Sequence, residues 1–162
     1  FDFDLQSGRE VFRRKYFGID PWEDTHFDYM LREKCMDVVP KREEYRILGV
    51  DVRCGANLLH FKNGFRALGL DNVTLSAFVQ DVKYWADLQT ICDGEVFCLP
   101  LRDFAAVLQG NVYDYIILGA PLYSYEDPQA MLDLMRDHLS VGGRVTGHLE
   151  KDGRVFVLER HA

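Results

Sequence analysis

The sequence is poor in cysteine and proline, short of positive charge, and without any long hydrophobic run. Its four cysteines, Cys35, Cys54, Cys92 and Cys98, stand alone, with no C-x-x-C pair, and no two histidines are spaced as metal ligands. This argues against structural zinc and against a disulfide framework, and gives no metal site. Isolated thiols of this kind read as packed and reduced, which points to the cytoplasm. Lys and Arg number 19 against 26 Asp and Glu, a formal net charge of -7. Binding to nucleic acid or to an anionic membrane surface needs clustered cations, so neither is expected as a partner. No apolar stretch approaches the ~18 residues of a membrane span, and the start carries no secretory leader pattern. The chain opens on Phe1 rather than Met, so it reads as a piece of a longer polypeptide.

What is present is an ordinary globular composition, 48% hydrophobic and 28% charged over 162 residues. That suits one domain with a short extension. Ser7-Gly8-Arg9-Glu10 has the form of a capping box, and Thr25 to Asp28 repeats the pattern before an apolar stripe of Phe27, Met30, Leu31, Cys35 and Val38. Two helices are therefore expected in residues 1–40, with the boundary near Pro40. The basic triplet Arg13-Arg14-Lys15 fits a solvated face. Phe17 to Trp22 reads as a lid or as packing against a neighbouring domain.

Residues 41–162 alternate between short β-branched runs and helical stripes. Strands are expected around Ile47–Val52, Val73–Phe78, Glu95–Leu99, Tyr113–Leu118, Arg144–Leu149 and Val155–Leu158. Helices are expected at Asn57–Leu68, Asp81–Ile91, Leu101–Gln109 and from Asp127-Pro128 to Leu139, the last pair being an N-cap followed by proline at the first helical position. Val141-Gly142-Gly143 reads as a turn into the fifth strand, and Asp152-Gly153 as a hairpin turn. The alternation implies an α/β, Rossmann-like, doubly wound and mostly parallel sheet, of order 3-2-1-4-5 plus an antiparallel last strand, with an N-terminal helical extension. Leu48, Val50, Ile116, Ile117, Leu132 and Met135 are the expected core. His138 falls in the last turn of a helix, where a cation suits the dipole. No histidine is given a catalytic role.

In such sheets ligands sit at the carboxyl ends of the strands, at the switch point after the first strand. There the chain reads Val50-Asp51-Val52-Arg53-Cys54-Gly55-Ala56-Asn57. This resembles the first motif of class I S-adenosylmethionine-dependent methyltransferases, an acid followed by G-x-G-x-G. Tyr113 to Gly119 resembles the family's fourth strand, and Leu139-Ser140-Val141-Gly142-Gly143 its L-x-x-G-G approach to the fifth. The resemblance covers roughly residues 45–149. It implies S-adenosylmethionine as cofactor, a small-molecule substrate, and cofactor contacts at Asp51, Arg53, Cys54, Gly55, Asn57, Ala77, Asp103, Leu118 and Gly119. Tyr123 and Tyr125 fall where the substrate would lie. No catalytic side chain is implied, since methyl transfer needs mainly alignment of donor and acceptor.

The residues depart from the family pattern at three places. Arg53 and Asn57 replace the first and third glycines. Ser76-Ala77-Phe78 lacks the acid expected to end the second strand. Leu122-Tyr123-Ser124-Tyr125 stands where many small-molecule methyltransferases carry Leu-Glu-His. Each residue also has a plainer reading: Asp51 could pair with Arg53 or cap a helix, Cys54 could be a packed thiol, Asp103 a solvated acid, and the two tyrosines a plug. Arg53 is expected to point into the crevice and pair with Asp51. The alternative function is a non-catalytic interaction or scaffold domain that partners another protein domain, in a longer sugar-transferring, glycosyltransferase-type polypeptide.

Overall fold

The computed structural model describes residues 39–150 and 155–161. The helices expected in residues 1–38 and the Asp152-Gly153 turn lie outside them. At the chain's entry, Val39–Lys41 forms one 3-10 turn. The described strands are β1 (Tyr45–Val50), β2 (Val73–Val79), β3 (Val96–Cys98), β4 (Tyr113–Leu118), β5 (Leu139–His148) and β6 (Val155–Glu159). They form one sheet of order β3-β2-β1-β4-β5-β6, parallel except for β6, which runs antiparallel to β5. Ile116 lies opposite Leu48 in the β1–β4 ladder. This is the expected α/β Rossmann-like architecture.

Helices cover both faces, so the central strands are mostly apolar on both sides, with few polar residues such as Arg46, Ser76 and Asp114. The helices are α1 (Ala56–Ala67), α2 (Trp85–Ile91), α3 (Phe104–Val107) and α4 (Pro128–Asp137). On one face Ile47, Leu75 and Ile117 pack with Leu58, Phe61 and Phe65 of α1 and with Leu88 of α2. On the other, Leu48, Val50, Ile116 and Leu118 pack with Phe104 of α3 and with Met131 and Met135 of α4. Leu48, Val50, Ile116, Ile117 and Met135 are fully buried. Leu132 is not: it is half-buried and borders a groove against Phe156 and Leu158 of β6. The stripe of α4 is narrower than expected because Leu139 already belongs to β5.

Local chemistry explains several boundaries. Asp127 Oδ1 accepts from the Ala130 N–H at 3.0 Å and Pro128 follows it, which starts α4. Gly69, at φ 75°, takes the left-handed position after α1. The segment Asp81–Ile91 is split: Asp81 caps a 3-10 turn over Val82–Tyr84 before α2 begins. The segment after β3 is likewise a 3-10 turn, Leu101–Asp103, before the short α3. Val141-Gly142-Gly143 is not a turn between helix and strand. β5 begins at Leu139, and the three residues form a bulge within it, with Gly142 at φ 83°. The β4 register jumps there, Tyr113 opposing Leu139 and Tyr115 opposing Arg144. Glycine supplies the positive φ that such a bulge needs. Arg160, the residue after β6, holds the bulge from the other side, through Gly142 N–H to Arg160 O at 2.7 Å and Arg160 N–H to Gly143 O at 3.0 Å.

Buried polar groups knit the strand starts together. Asp114 accepts from the Arg46 N–H at 2.9 Å and from Ser140 Oγ at 2.7 Å, and pairs with Arg42 at 3.3 Å. Tyr115 and Thr146, both fully buried, share a hydrogen bond of 2.9 Å between their hydroxyls. His138 does end α4, but it is buried and its Nδ1 lies 3.1 Å from Asn111 O, so packing as well as the helix end places it.

Candidate functional site

The turn after β1 is built from left-handed backbone. Asp51 has φ 52°, Arg53 φ 56° and Gly55 φ 84°. For a residue with a Cβ this conformation costs roughly 1–2 kcal/mol, so two of them in one turn mark a segment held by its surroundings. The holding contacts are visible. The Asp51 N–H donates to Phe78 O at the end of β2 (2.8 Å), and the Gly119 N–H donates to Val50 O (2.8 Å). Val52 is buried among the side chains of the α1 face. Gly55 packs against Leu88 of α2, and a Cβ there would fall 2.6 Å from Leu88 Cδ2. Asn57 lies inside α1, so the left-handed positions precede it.

Arg53 is exposed, and the Asp51 carboxylate is held by other groups. Asp51 Oδ2 accepts from Gln80 Nε2 at 3.0 Å and from the Tyr125 hydroxyl at 2.5 Å. These three residues come from the ends of β1 and β2 and from the loop after β4, so they gather at the switch point of the sheet. Burial is the first cause that pushes the Tyr125 phenol above its ordinary range, and the Asp51 charge and the bond donated to it push the same way. The phenol is therefore held protonated, as a donor. Burial likewise raises the Cys54 thiol; the Ala56 backbone N–H that points at its sulfur opposes this, and the Asp87 charge adds to it. A buried, protonated thiol is a packing group rather than a nucleophile.

The other expected site residues separate into groups. Gly119 lies against the backbone of Asp51 and Val52. Leu118 pairs with Val50 but buries its side chain on the α3–α4 face. Ala77 is fully buried inside β2, because the strand runs on to Val79. The residue at the mouth is thus Gln80, which the sequence reading missed. Its signal was the apolar run from Ala77 through Val79, after which Gln80 is the next polar side chain. Asp103 ends the 3-10 turn that follows β3, which lies two strands from β1. The two tyrosines part company. Tyr125 faces Asp51. Tyr123 is exposed, donates its N–H to Leu149 O at 3.0 Å, and borders a groove of about 520 Å³ between α4 and β6, away from Asp51.

Among the described residues no group of three or more His, Cys, Asp or Glu could hold a metal ion, and no helix is long and apolar enough to cross a membrane.

No protein-family profile and no curated protein matches the sequence. Solved structures do match the fold. A DszA carbon methyltransferase aligns over 90% of this chain and 40% of its own, at TM-score 0.64 and 11% identity. The plantazolicin methyltransferase BpumL, solved with a substrate analogue and S-adenosylhomocysteine, aligns over 89% and 58%, at TM-score 0.58 and 13% identity. Coclaurine N-methyltransferase, bound to N-methylheliamine and S-adenosylhomocysteine, aligns over 75% and 36%, at TM-score 0.51 and 18% identity. The chain therefore has the fold of class I S-adenosylmethionine-dependent methyltransferases. It spans about a third to three fifths of the length of these three proteins.

Proposed function

We propose that the edge formed by Asp51, Gln80 and Gly119 binds S-adenosylmethionine, and that the chain is a methyltransferase-type domain acting on a small molecule. The observation that carries this reading is the position of Asp51. Its carboxylate stands at the switch point, on a strained turn, and is bonded by Gln80 and Tyr125.

The residues fit the ligand's parts. The Asp51 carboxylate suits the ammonium of the cofactor's amino-acid end. The first N–H groups of α1, which a helix leaves without intrahelical partners, suit its carboxylate. The Gln80 side chain, which can donate and accept, takes the place of the missing acid at the β2 end and suits the ribose hydroxyls. Gly55 and Gly119 keep the backbone close and the floor small. When bound, the cofactor supplies the methyl group. The protein's own part is to orient donor and acceptor and to keep the approach in line. Cys54 and Leu118 contribute through their packing, and Ala77 through the buried sheet behind the site. Asp103 belongs to the β3 side, where an adenine would lie.

A second reading is favoured by one observation, the hydrogen bond from Tyr125, which already satisfies Asp51 without a ligand. In that reading the domain is a scaffold or interaction module, partnering another domain of a longer, glycosyltransferase-type polypeptide. Isothermal titration with S-adenosylhomocysteine separates the two. Micromolar binding that Asp51→Asn abolishes supports the enzyme. No binding at millimolar ligand supports the module.

A further inference from the structure

Tyr125 is anchored away from the atom it serves. It follows a 3-10 turn, Leu122–Ser124, that ends the loop after β4; the turn is closed by the Ser124 hydroxyl on Pro121 O at 2.6 Å. Its ring packs with the α3–α4 face of the core and borders a groove of about 470 Å³ shared with Leu101, Met131 and Leu134. From there the hydroxyl reaches back over the strand ends to Asp51 Oδ2. The pair joins the turn after β1 to the loop after β4, the two segments between which a ligand of this sheet would lie.

We propose that Tyr125 is a displaceable internal ligand of Asp51, a specificity-determining residue that reserves this carboxylate for ligands carrying an ammonium group. The proposal rests on the cofactor reading above. A neutral donor arriving at Asp51 exchanges one hydrogen bond for another and gains little, because the phenol's bond must be given up. An ammonium brings a full positive charge as well as its donors, and charge-assisted bonds between two ions are the stronger class. The phenol, held protonated, never contributes charge of its own. The groove beside the ring gives it space on the α4 side when it leaves. Gln80 stays on the same carboxylate oxygen and keeps Asp51 aimed at the site while the exchange takes place.

The test compares two ligands on the full chain and on Tyr125→Phe, by isothermal titration. S-Adenosylhomocysteine carries the ammonium; 5′-methylthioadenosine is the same thioether nucleoside without the amino-acid end. Loss of the competing phenol is expected to tighten S-adenosylhomocysteine about tenfold, the factor one modest hydrogen bond represents, and to leave methylthioadenosine unchanged. Equal tightening of both ligands would make Tyr125 a steric plug and overturn the proposal. Unchanged or weaker S-adenosylhomocysteine binding by the variant would overturn it too, while leaving the cofactor reading intact. Absence of S-adenosylhomocysteine binding to either protein would overturn both.

Discussion

Gly119 touches the backbone of the turn it faces: a Cβ placed on it would lie 2.5 Å from Asp51 O and 2.5 Å from Val52 Cα. The small residue after β4 is thus what allows the Asp51 turn to close over the strand end. Neither neighbour is a flexible side-chain tip, so an added methyl group must shift backbone. Gly119→Ala is expected to lose roughly 1–3 kcal/mol of stability, the usual range for overpacking. Urea denaturation checks this, and an unchanged midpoint would mean that the two segments separate freely.

The alkaline limb of stability follows from the tyrosines. Tyr125 and Tyr113 both have folded pKa values raised, by burial first, above those of the unfolded chain. A proton held more tightly in the fold gives stability that is complete below about pH 10 and is lost as the pH rises beyond the unfolded value. Tyr125→Phe is expected to flatten the decline of the melting temperature above pH ~10 without affecting neutral pH dependence. A variant that declines as steeply as the unmutated protein would show that Tyr125 does not couple to folding.

Thiol reactivity should distinguish the folded from the unfolded chain. Cys92 is pushed up to about 12, by burial and by the Asp93 charge, and burial raises Cys54 as well. Alkylation with iodoacetamide near pH 8, read by peptide mass mapping, is expected to label both far more slowly in native protein than in urea. Rapid native labelling of Cys54 would reopen its reading as a nucleophile.

On α4 the difference between Met135 and Leu132 can be measured. Met135 is fully buried, and its replacement by alanine is expected to cost about 2–5 kcal/mol. Leu132 is half-buried beside the β6 groove, so Leu132→Ala should cost clearly less. Equal losses would place Leu132 in the core after all.

The sheet was legible because its signals are local. Tyr113 to Leu118 is an uninterrupted apolar run apart from Asp114, and Asp127-Pro128 is a cap that acts in the structure as it reads in the sequence. Three features were hidden because their causes are tertiary. The bulge at Gly142 looks like a turn until Arg160, just after β6, is seen to bond to it. Leu132 has the periodicity of a core residue, yet β6 covers it only in part. Gln80 follows a strand that runs one residue past its expected end at Phe78, because β2 keeps pairing with β3 through Val79. At the site, Asp51 could be singled out as an acid at a strand end, and Tyr125 as a nearby aromatic. Their hydrogen bond joins residues 74 apart in sequence, a relationship that no spacing reveals.

The central claim, that a cofactor sits at the Asp51 edge, is tested most directly by a two-dimensional amide NMR titration of the unmutated protein with S-adenosylhomocysteine. The account predicts saturable shifts at Asp51 to Gly55, Gln80, Gly119 and Tyr125, all lost in Asp51→Asn. Shifts confined to the groove around Tyr123 and Phe156, or no shifts at millimolar ligand, would contradict it.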